Sequence, residues 1–150
     1  MRALVRRVVG ADVKVEGTVI GAIGPGLVVY LGVEEDDEEA DLLWLVKKIL
    51  GLRIFDDAEG QMKYALPANY GILVISQFTL FGNVKRGSRP SFNRAATAEK
   101  GEVFYLRCID LIKANFTGKL EKGKFGADMK ISSVDNGPVT IWLDSRNRSY

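Results

Sequence analysis

The stretch Ile72–Phe81, ILVISQFTLF, joins a short apolar run to a polar end. Its first four residues are apolar and mostly β-branched, which predicts a strand covered on both faces. Ser76 and Thr79 then add one hydroxyl each, and Gln77 adds an amide with donors and an acceptor. We interpret this strand end as the rim of a reactive pocket. The alternative is that these side chains only satisfy backbone groups of the next turn.

Length and composition indicate one folded unit. The chain has 150 residues, of which 47% are hydrophobic and 27% charged, and its net charge is +2. Chains of this length bury about 68–70% of the surface that the unfolded form exposes, so we expect a single domain over residues 1–150. No run approaches the ~20 apolar residues of a membrane span. We therefore expect a cytoplasmic protein with no membrane partner.

The chain contains no histidine and a single cysteine, Cys108. Histidine is the usual general base near neutral pH and the commonest metal ligand, so catalysis would have to use other groups. We assign neither a metal nor a cofactor from the sequence. The apolar neighbours of Cys108 favour a small buried hydrophobe in a reducing compartment over a catalytic thiol.

Two helical patterns interrupt a series of short alternating runs. The acidic residues of Glu34–Asp41 precede an apolar segment that stops at Gly51, which predicts a helix with a complemented dipole. The alternative for these acids is a metal site. Ala95–Phe116 carries the apolar face of a second helix. The remaining runs, separated by glycine and proline, predict hairpins, so we expect an α+β fold with a mostly antiparallel sheet.

The last third of the chain predicts two further strands. Asn115–Gly126 is polar and glycine-containing, and we interpret it as a connection to a strand over Met129–Ser133. A final strand begins with Asp135–Pro138, and its proline should lie at the strand's beginning or at a sheet edge because proline removes a ladder donor. Glycine before proline also permits a cis bond. The polar tail Asp144–Tyr150 is expected to fray.

The basic loop, Gly82–Pro90, holds Lys85, Arg86 and Arg89 within five residues. Because it lies between a candidate pocket and a helix, it is well placed to contact phosphate. The alternative is a solvated turn.

Several motifs occur in order along the chain: SQFTLF at Ser76–Phe81, GSRPSF at Gly87–Phe92, FGADM at Phe125–Met129 and NGPVT at Asn136–Thr140. Together with MRA at residues 1–3 and LRIF at residues 52–55, they closely resemble the D-aminoacyl-tRNA deacylase (D-tyrosyl-tRNA deacylase) family over essentially the whole chain. The resemblance implies a homodimer of β-barrel-like subunits with helices outside. Such enzymes cleave the ester between a D-amino acid and the terminal ribose of tRNA, at sites on the dimer interface.

The resemblance also implies roles for individual residues. One wall of the site would consist of four consecutive residues, Ser76, Gln77, Phe78 and Thr79. The Gly-Pro pair of the other subunit, joined by a cis bond in the family, would enter as a selectivity element. The substrate-binding residues carried over are Gly137, Pro138, Arg7 as the brace of their loop, Met129 and Thr140.

One departure from the family pattern concerns the residues before the Gly-Pro pair. The family usually has Asn-Asp-Gly-Pro, whereas this chain has Asp135-Asn136-Gly137-Pro138. The pair itself is intact, so the inferred selectivity is retained. No contacts are carried over for Asp135 and Asn136.

Catalysis without histidine is chemically feasible because an aminoacyl ester is already activated. The protein need only position water or the neighbouring ribose hydroxyl and stabilise the oxyanion, for example with the backbone N–H of Phe78 or Thr79. Thr79 as a nucleophile is the less favoured alternative, since no activating base is evident beside it. Two other functions stay open: a non-catalytic module that binds the end of an RNA, and a hydrolase of another small ester.

Overall fold

The structure, a computed structural model, describes residues 1–149. Within them lie eight strands, two α-helices and a 3₁₀ turn at Phe78–Phe81. The helices are α1 (Glu39–Gly51) and α2 (Ala98–Asn115). The strands are β1 (Arg2–Val15), β2 (Thr18–Ile23), β3 (Gly26–Gly32), β4 (Phe55–Asp56), β5 (Met62–Tyr64), β6 (Gly71–Ser76), β7 (Lys119–Lys122) and β8 (Lys130–Asp144).

Six strands form one curled sheet, and β4 and β5 form a separate hairpin. β1 pairs antiparallel with β2, β3 and β8, whereas β3–β6 and β6–β7 are parallel pairs. The predicted α+β class with two main helices is confirmed, but the sheet is mixed. The connections explain the parallel pairs, because α1 lies between β3 and β6, α2 lies between β6 and β7, and helical crossovers join parallel strands. β2 also contacts β7, so the sheet forms a nearly closed barrel.

Strand β6 is buried on both faces, as its apolar sequence predicts. Ile72 and Val74 belong to the core that the sheet shares with α1 and α2. Leu73 and Ile75 belong to a second core inside the curled sheet. All four side chains are fully buried. The carboxyl end of β6, where the polar residues begin, is therefore fixed by packing on both sides.

Helix α1 starts inside the acidic run that predicted it. Glu38 and Asp41 form a capping box, in which each side chain accepts a backbone N–H of the first turn. Glu34 and Asp37 precede the helix, and each pairs with an arginine. Helix capping and ion pairing account for these acids, which favours the helix-start interpretation over the metal site.

Helix α2 occupies most of the predicted segment. Its first backbone N–H groups are capped by the Thr97 hydroxyl, which accepts a hydrogen bond from the N–H of Lys100 at 3.4 Å. Tyr105, Cys108 and Ile112 are buried on its inner face. The predicted apolar stripe is therefore core, and Cys108 is a buried residue as expected.

Two predictions for the last third were wrong. Lys119–Lys122 forms the edge strand β7 instead of a connection. β8 is one continuous strand that includes Pro138, where two strands were expected. A bulge makes this possible: Arg6 pairs with Thr140 and Val8 with Asp135, so Asn136–Val139 lies opposite Arg7 alone. The proline lies at the bulge, where no ladder hydrogen bond is required of it.

The tail is more ordered than predicted. Asp144 and Ser145 are buried, because the Arg2 guanidinium pairs with Asp144 at 2.9 Å and the N–H of Ser145 donates to the Met1 carbonyl at 2.9 Å. Arg148 lies over the Trp44 ring at 4.8 Å. The expectation of fraying was wrong for these residues, and Tyr150 lies outside the described part.

Candidate active site

A cavity of about 480 Å³ opens at the carboxyl ends of β3 and β6. One wall consists of the residues that end β6, and the facing wall comes from α2 and the loop before β8. Strand ends at such an edge bring side chains from separate parts of the chain together, which is a common location for a ligand site. Its lining includes Ser76, Gln77, Phe78, Tyr105, Phe125 and Met129.

The polar segment, Ser76–Thr79, changes from strand to 3₁₀ turn. The N–H of Gln77 donates to the Leu31 carbonyl at 2.7 Å, and the next residues then turn away from the sheet. Ser76, Gln77 and Phe78 line the cavity, as the pocket-rim interpretation predicts. Thr79 is exposed beside them but is not a lining residue.

The turn leaves two backbone donors available. The first N–H groups of a helical turn have no acceptor inside it, and residues 1–149 provide none for the N–H groups of Phe78 and Thr79. The Thr79 hydroxyl accepts a hydrogen bond from the Gln77 side-chain amide. A neutral amide cannot take a proton from a hydroxyl, so this contact does not activate Thr79 as a nucleophile.

The facing wall is apolar and contains residues that the sequence analysis did not assign. Phe125 and Tyr105 lie with ring centroids 5.8 Å apart. The Tyr105 hydroxyl is 2.9 Å from the Val74 carbonyl oxygen and 3.2 Å from that of Gly123, so it links the ends of β6 and β7. Burial raises the pKa of Tyr105, which keeps the phenol neutral and able to donate. Met129, predicted to bind substrate, also lines the cavity.

Gly137 and Pro138 lie elsewhere, in the Gly-Pro loop (Asn136–Val139) at the β8 bulge. The bond between them is cis, and both residues are exposed. Neither they nor Arg7 and Thr140 line the cavity of their own chain. The structure therefore separates the predicted site residues into two groups.

Arg7 contacts the Gly-Pro loop from inside. Its side chain is buried, and it donates to the carbonyls of Asn136 at 3.0 Å and Ile54 at 2.6 Å and to the Asp56 carboxylate at 3.0 Å. These contacts fit the predicted role as a brace. Of the residues whose contacts were not carried over, Asp135 pairs with Arg6, and Asn136 contributes its carbonyl to Arg7.

The basic loop projects its three cations into solvent. Its ends are joined by two backbone hydrogen bonds between Asn83 and Ser91, at 2.8 and 2.9 Å. Lys85, Arg86 and Arg89 are exposed, and their side chains make no ion pair with any of residues 1–149. Their charges are therefore open to an external anion.

Cys108 takes no part in this arrangement. Burial raises the pKa of its thiol to about 12, so it remains protonated near neutral pH. A thiolate nucleophile at this position is excluded by the same burial.

Residues 4–144 match the family model described as D-Tyr-tRNA(Tyr) deacylase. The chain belongs to this family. Two curated relatives are D-aminoacyl-tRNA deacylases, from Thermotoga petrophila (49% identical, covering 97% of both chains) and Geobacter sulfurreducens (48% identical, covering 99% of this chain and 98% of the relative). The resemblance inferred from the motifs is thereby confirmed.

A solved structure described as the c-Myc DNA Unwinding Element Binding Protein has the same fold. It superimposes with a TM-score of 0.89 at 39% identity, and the alignment covers 96% of this chain and 98% of that one. That protein therefore shares the nearly closed barrel with two helices. In the described residues 1–149, no helix has the length and apolar character needed to cross a membrane.

Proposed function

We propose that this protein hydrolyses the ester bond of D-aminoacyl-tRNA and releases free D-amino acid and tRNA, as chiral proofreading in translation. The observation that carries the proposal is the cavity at the end of β6. Its wall is the SQF part of the family motif, and the backbone N–H groups of Phe78 and of the next residue, Thr79, have no acceptor within residues 1–149. We further propose that residues 1–150 act as a single domain in the cytoplasm.

The backbone of the polar segment supplies the main catalytic contribution. Water, oriented with help from the neighbouring ribose hydroxyl, attacks the ester carbonyl carbon; the bond to the ribose oxygen then breaks and that oxygen takes a proton. The N–H of Phe78 or Thr79 stabilises the oxyanion formed in between, and loss of one such donor typically costs ~2.7–4 kcal/mol of barrier. This route needs no histidine, metal or side-chain nucleophile.

The apolar facing wall suits the uncharged end of the substrate. Tyr105 and Phe125 offer ring surface, and Met129 offers a polarizable thioether that adapts to flat groups. Phosphates of the tRNA would lie outside the cavity, where Lys85, Arg86 and Arg89 are exposed.

Selectivity requires a second copy of the chain. Gly137 and Pro138 are exposed, their loop is braced from inside by Arg7, and they do not line the cavity of their own chain. In a homodimer it enters the partner's site, where its carbonyls hold the amino group and α-hydrogen of the substrate. An L side chain would then point into backbone, whereas a D side chain points to solvent.

A filter of this kind tests handedness and not side-chain identity. It accepts many D-amino acids, and it cannot reject glycine on steric grounds because glycine has no side chain. Mischarged glycyl-tRNA is therefore a second substrate under this proposal.

The decisive experiment follows ester loss from D-tyrosyl-tRNA, L-tyrosyl-tRNA and glycyl-tRNA, with D-tyrosine ethyl ester as a substrate lacking tRNA. Rapid loss of the D-tyrosyl and glycyl esters with retention of the L-ester supports the proposal. Binding of tRNA without turnover would instead identify an RNA-end-binding module, and hydrolysis of the ethyl ester alone would identify a hydrolase of small esters. Sedimentation of the same preparation tests the homodimer, which a monomeric active species would contradict.

A further inference from the structure

The 3₁₀ turn that carries the proposed oxyanion donors is held at its far end by Arg2. Nη1 of Arg2 donates to the Leu80 carbonyl at 2.9 Å. The carbonyls at the end of a helical turn find no N–H donor inside the turn. The bond from Arg2 gives one of them a fixed partner. Arg2 lies on β1, and the contact spans 78 positions of sequence.

The turn also packs against a glycine of β3. Gly32 pairs with Arg2 across β1 and β3. A Cβ atom at Gly32 would lie 3.0 Å from both the Gln77 carbonyl oxygen and the Phe81 ring. The turn therefore packs closely against the end of β3, where a side chain at Gly32 would crowd it. Arg2, paired with Gly32 across the sheet, is the side chain that hydrogen-bonds to the turn.

The guanidinium of Arg2 has little freedom to reorient. Its central carbon lies 4.6 Å from the centroid of the Phe81 ring and 5.4 Å from that of Trp142, distances at which a cation is attracted to an aromatic face. Nε donates to the Asp144 carboxylate at 2.9 Å. A planar group with several donors can satisfy all these contacts at once, whereas a lysine ammonium cannot.

Asp144 is itself kept ionised for this role. Burial alone would raise the pKa of its carboxyl, but the N–H of Arg146 and the guanidinium of Arg2 outweigh burial and hold the pKa below its usual value. The charge that orients Arg2 is thus present throughout the neutral range.

We infer that Arg2 is a positioning residue for deacylation: by fixing the Leu80 end of the turn, it sets the direction of the Phe78 and Thr79 N–H groups. The inference rests on the proposed function for its kinetic consequence. Arg2 does not line the cavity, so it acts through the turn and not on the substrate.

The kinetic test compares Arg2→Gln and Arg2→Lys with the wild type in single-turnover hydrolysis of D-tyrosyl-tRNA. Arg2→Gln should lower the rate constant at saturating enzyme by about 10- to 100-fold, the size expected when donors are misplaced by about 1 Å. The enzyme concentration giving half-saturation should stay nearly unchanged. Arg2→Lys should recover part of the rate, since one donor can still reach Leu80.

Arg53→Gln is the matched control, because Arg53 also donates a guanidinium hydrogen bond to a carbonyl, that of Lys63 at 2.6 Å, but in the β4–β5 hairpin. It should retain the wild-type rate. An unchanged rate in Arg2→Gln, or an equal loss in Arg53→Gln, would overturn the inference.

Hydrogen exchange separates this inference from the proposed function. The N–H groups of Leu80 and Gly82 donate to carbonyls within the turn, at 3.3 and 2.9 Å. Their hydrogen exchange should accelerate in Arg2→Gln, whereas exchange of the backbone N–H groups inside α2 should not. If the wild type fails to deacylate but this acceleration occurs, the function is wrong and the positioning stands. If exchange at the turn is unchanged, the positioning is wrong whatever the activity.

Discussion

The polar segment ends strand β6 and the Gly-Pro loop interrupts strand β8, but the two regions have different surroundings. Ser76–Thr79 borders a cavity of its own chain, whereas Gly137 and Pro138 are exposed and line no part of that cavity. This difference suits a division between catalysis and selection of the substrate. Under the proposed function, donors for catalysis would come from one chain, and selection by the Gly-Pro loop would need the surface of another.

The two regions also differ in what supports them. The polar segment follows four fully buried side chains of β6 and continues into a turn bonded to β1 and β3. The Gly-Pro loop is a bulge in an edge strand, and its brace is Arg7. The two regions therefore depend on different contacts, so substitutions in them should differ in effect.

The largest effect is expected from Gly137→Ala. Gly137 has φ +128, and an added Cβ would lie 2.8 Å from the Val139 side chain and 3.0 Å from its backbone nitrogen. The loop must shift, and single-turnover hydrolysis of D-tyrosyl-tRNA should fall by about 100-fold or more. Gly60→Ala is the control, because Gly60 also has positive φ (+77) but open space around it. A full rate in Gly137→Ala would remove the Gly-Pro loop from the site.

Among changes at the Gly-Pro loop, Arg7→Gln should have the next largest effect, and chiefly on stability. Removing the buried guanidinium takes its hydrogen bonds from the carbonyls of Asn136 and Ile54. The free energy of unfolding in urea should fall by about 2–4 kcal/mol. The loosened loop should also lose about tenfold in rate. Arg107→Gln, which breaks an exposed pair with Glu39, should cost under ~1 kcal/mol. Equal costs for both would refute the role of Arg7 as a brace.

The same contrast explains what could be predicted from the sequence. Ile72–Ile75 was identified as a central strand because a β-branched run is a local signal. Both helices were also identified from local signals, α1 from its acidic start and α2 from its apolar face. The Arg7 brace and the Gly-Pro loop came from the resemblance, since no local pattern connects residues so far apart in the chain.

The errors have a common physical cause, because each depended on a partner distant in sequence. Lys119–Lys122 is a polar strand that exists because β6 offers it an edge. β8 continues through Pro138 because Arg7 lies opposite a four-residue bulge. Tyr105 received no role from the sequence, because its hydroxyl contacts with Val74 and Gly123 could not be read from spacing on the helix.

Thr79→Ala should have a small effect and so tests whether the polar segment acts through its backbone. The hydroxyl of this exposed residue has the Gln77 amide as its hydrogen-bond partner within residues 1–149, and a neutral amide cannot act as its base. If the backbone N–H groups do the work, the single-turnover rate should fall by less than about fivefold, under ~1 kcal/mol of barrier. Circular dichroism and gel filtration verify the fold. Complete loss of hydrolysis in a folded variant would make the Thr79 hydroxyl the catalytic group.

The smallest effect on the chemical step is expected from the basic loop, which follows the polar segment. Just after the loop, the Phe92 ring lies 5.0 Å from that of Phe78. Removing Lys85 and Arg86 together takes away exposed charge without disturbing an ion pair, so the rate at saturation should be unchanged while tRNA affinity falls. The slope of log affinity against log salt should become shallower by about 1 for each cation that contacts a phosphate.

Lys47→Ala, at an exposed position on α1, is the control and should leave the slope intact. An unchanged slope in the double variant would make the loop a solvated turn, and the tRNA would then have to approach the polar segment from another side.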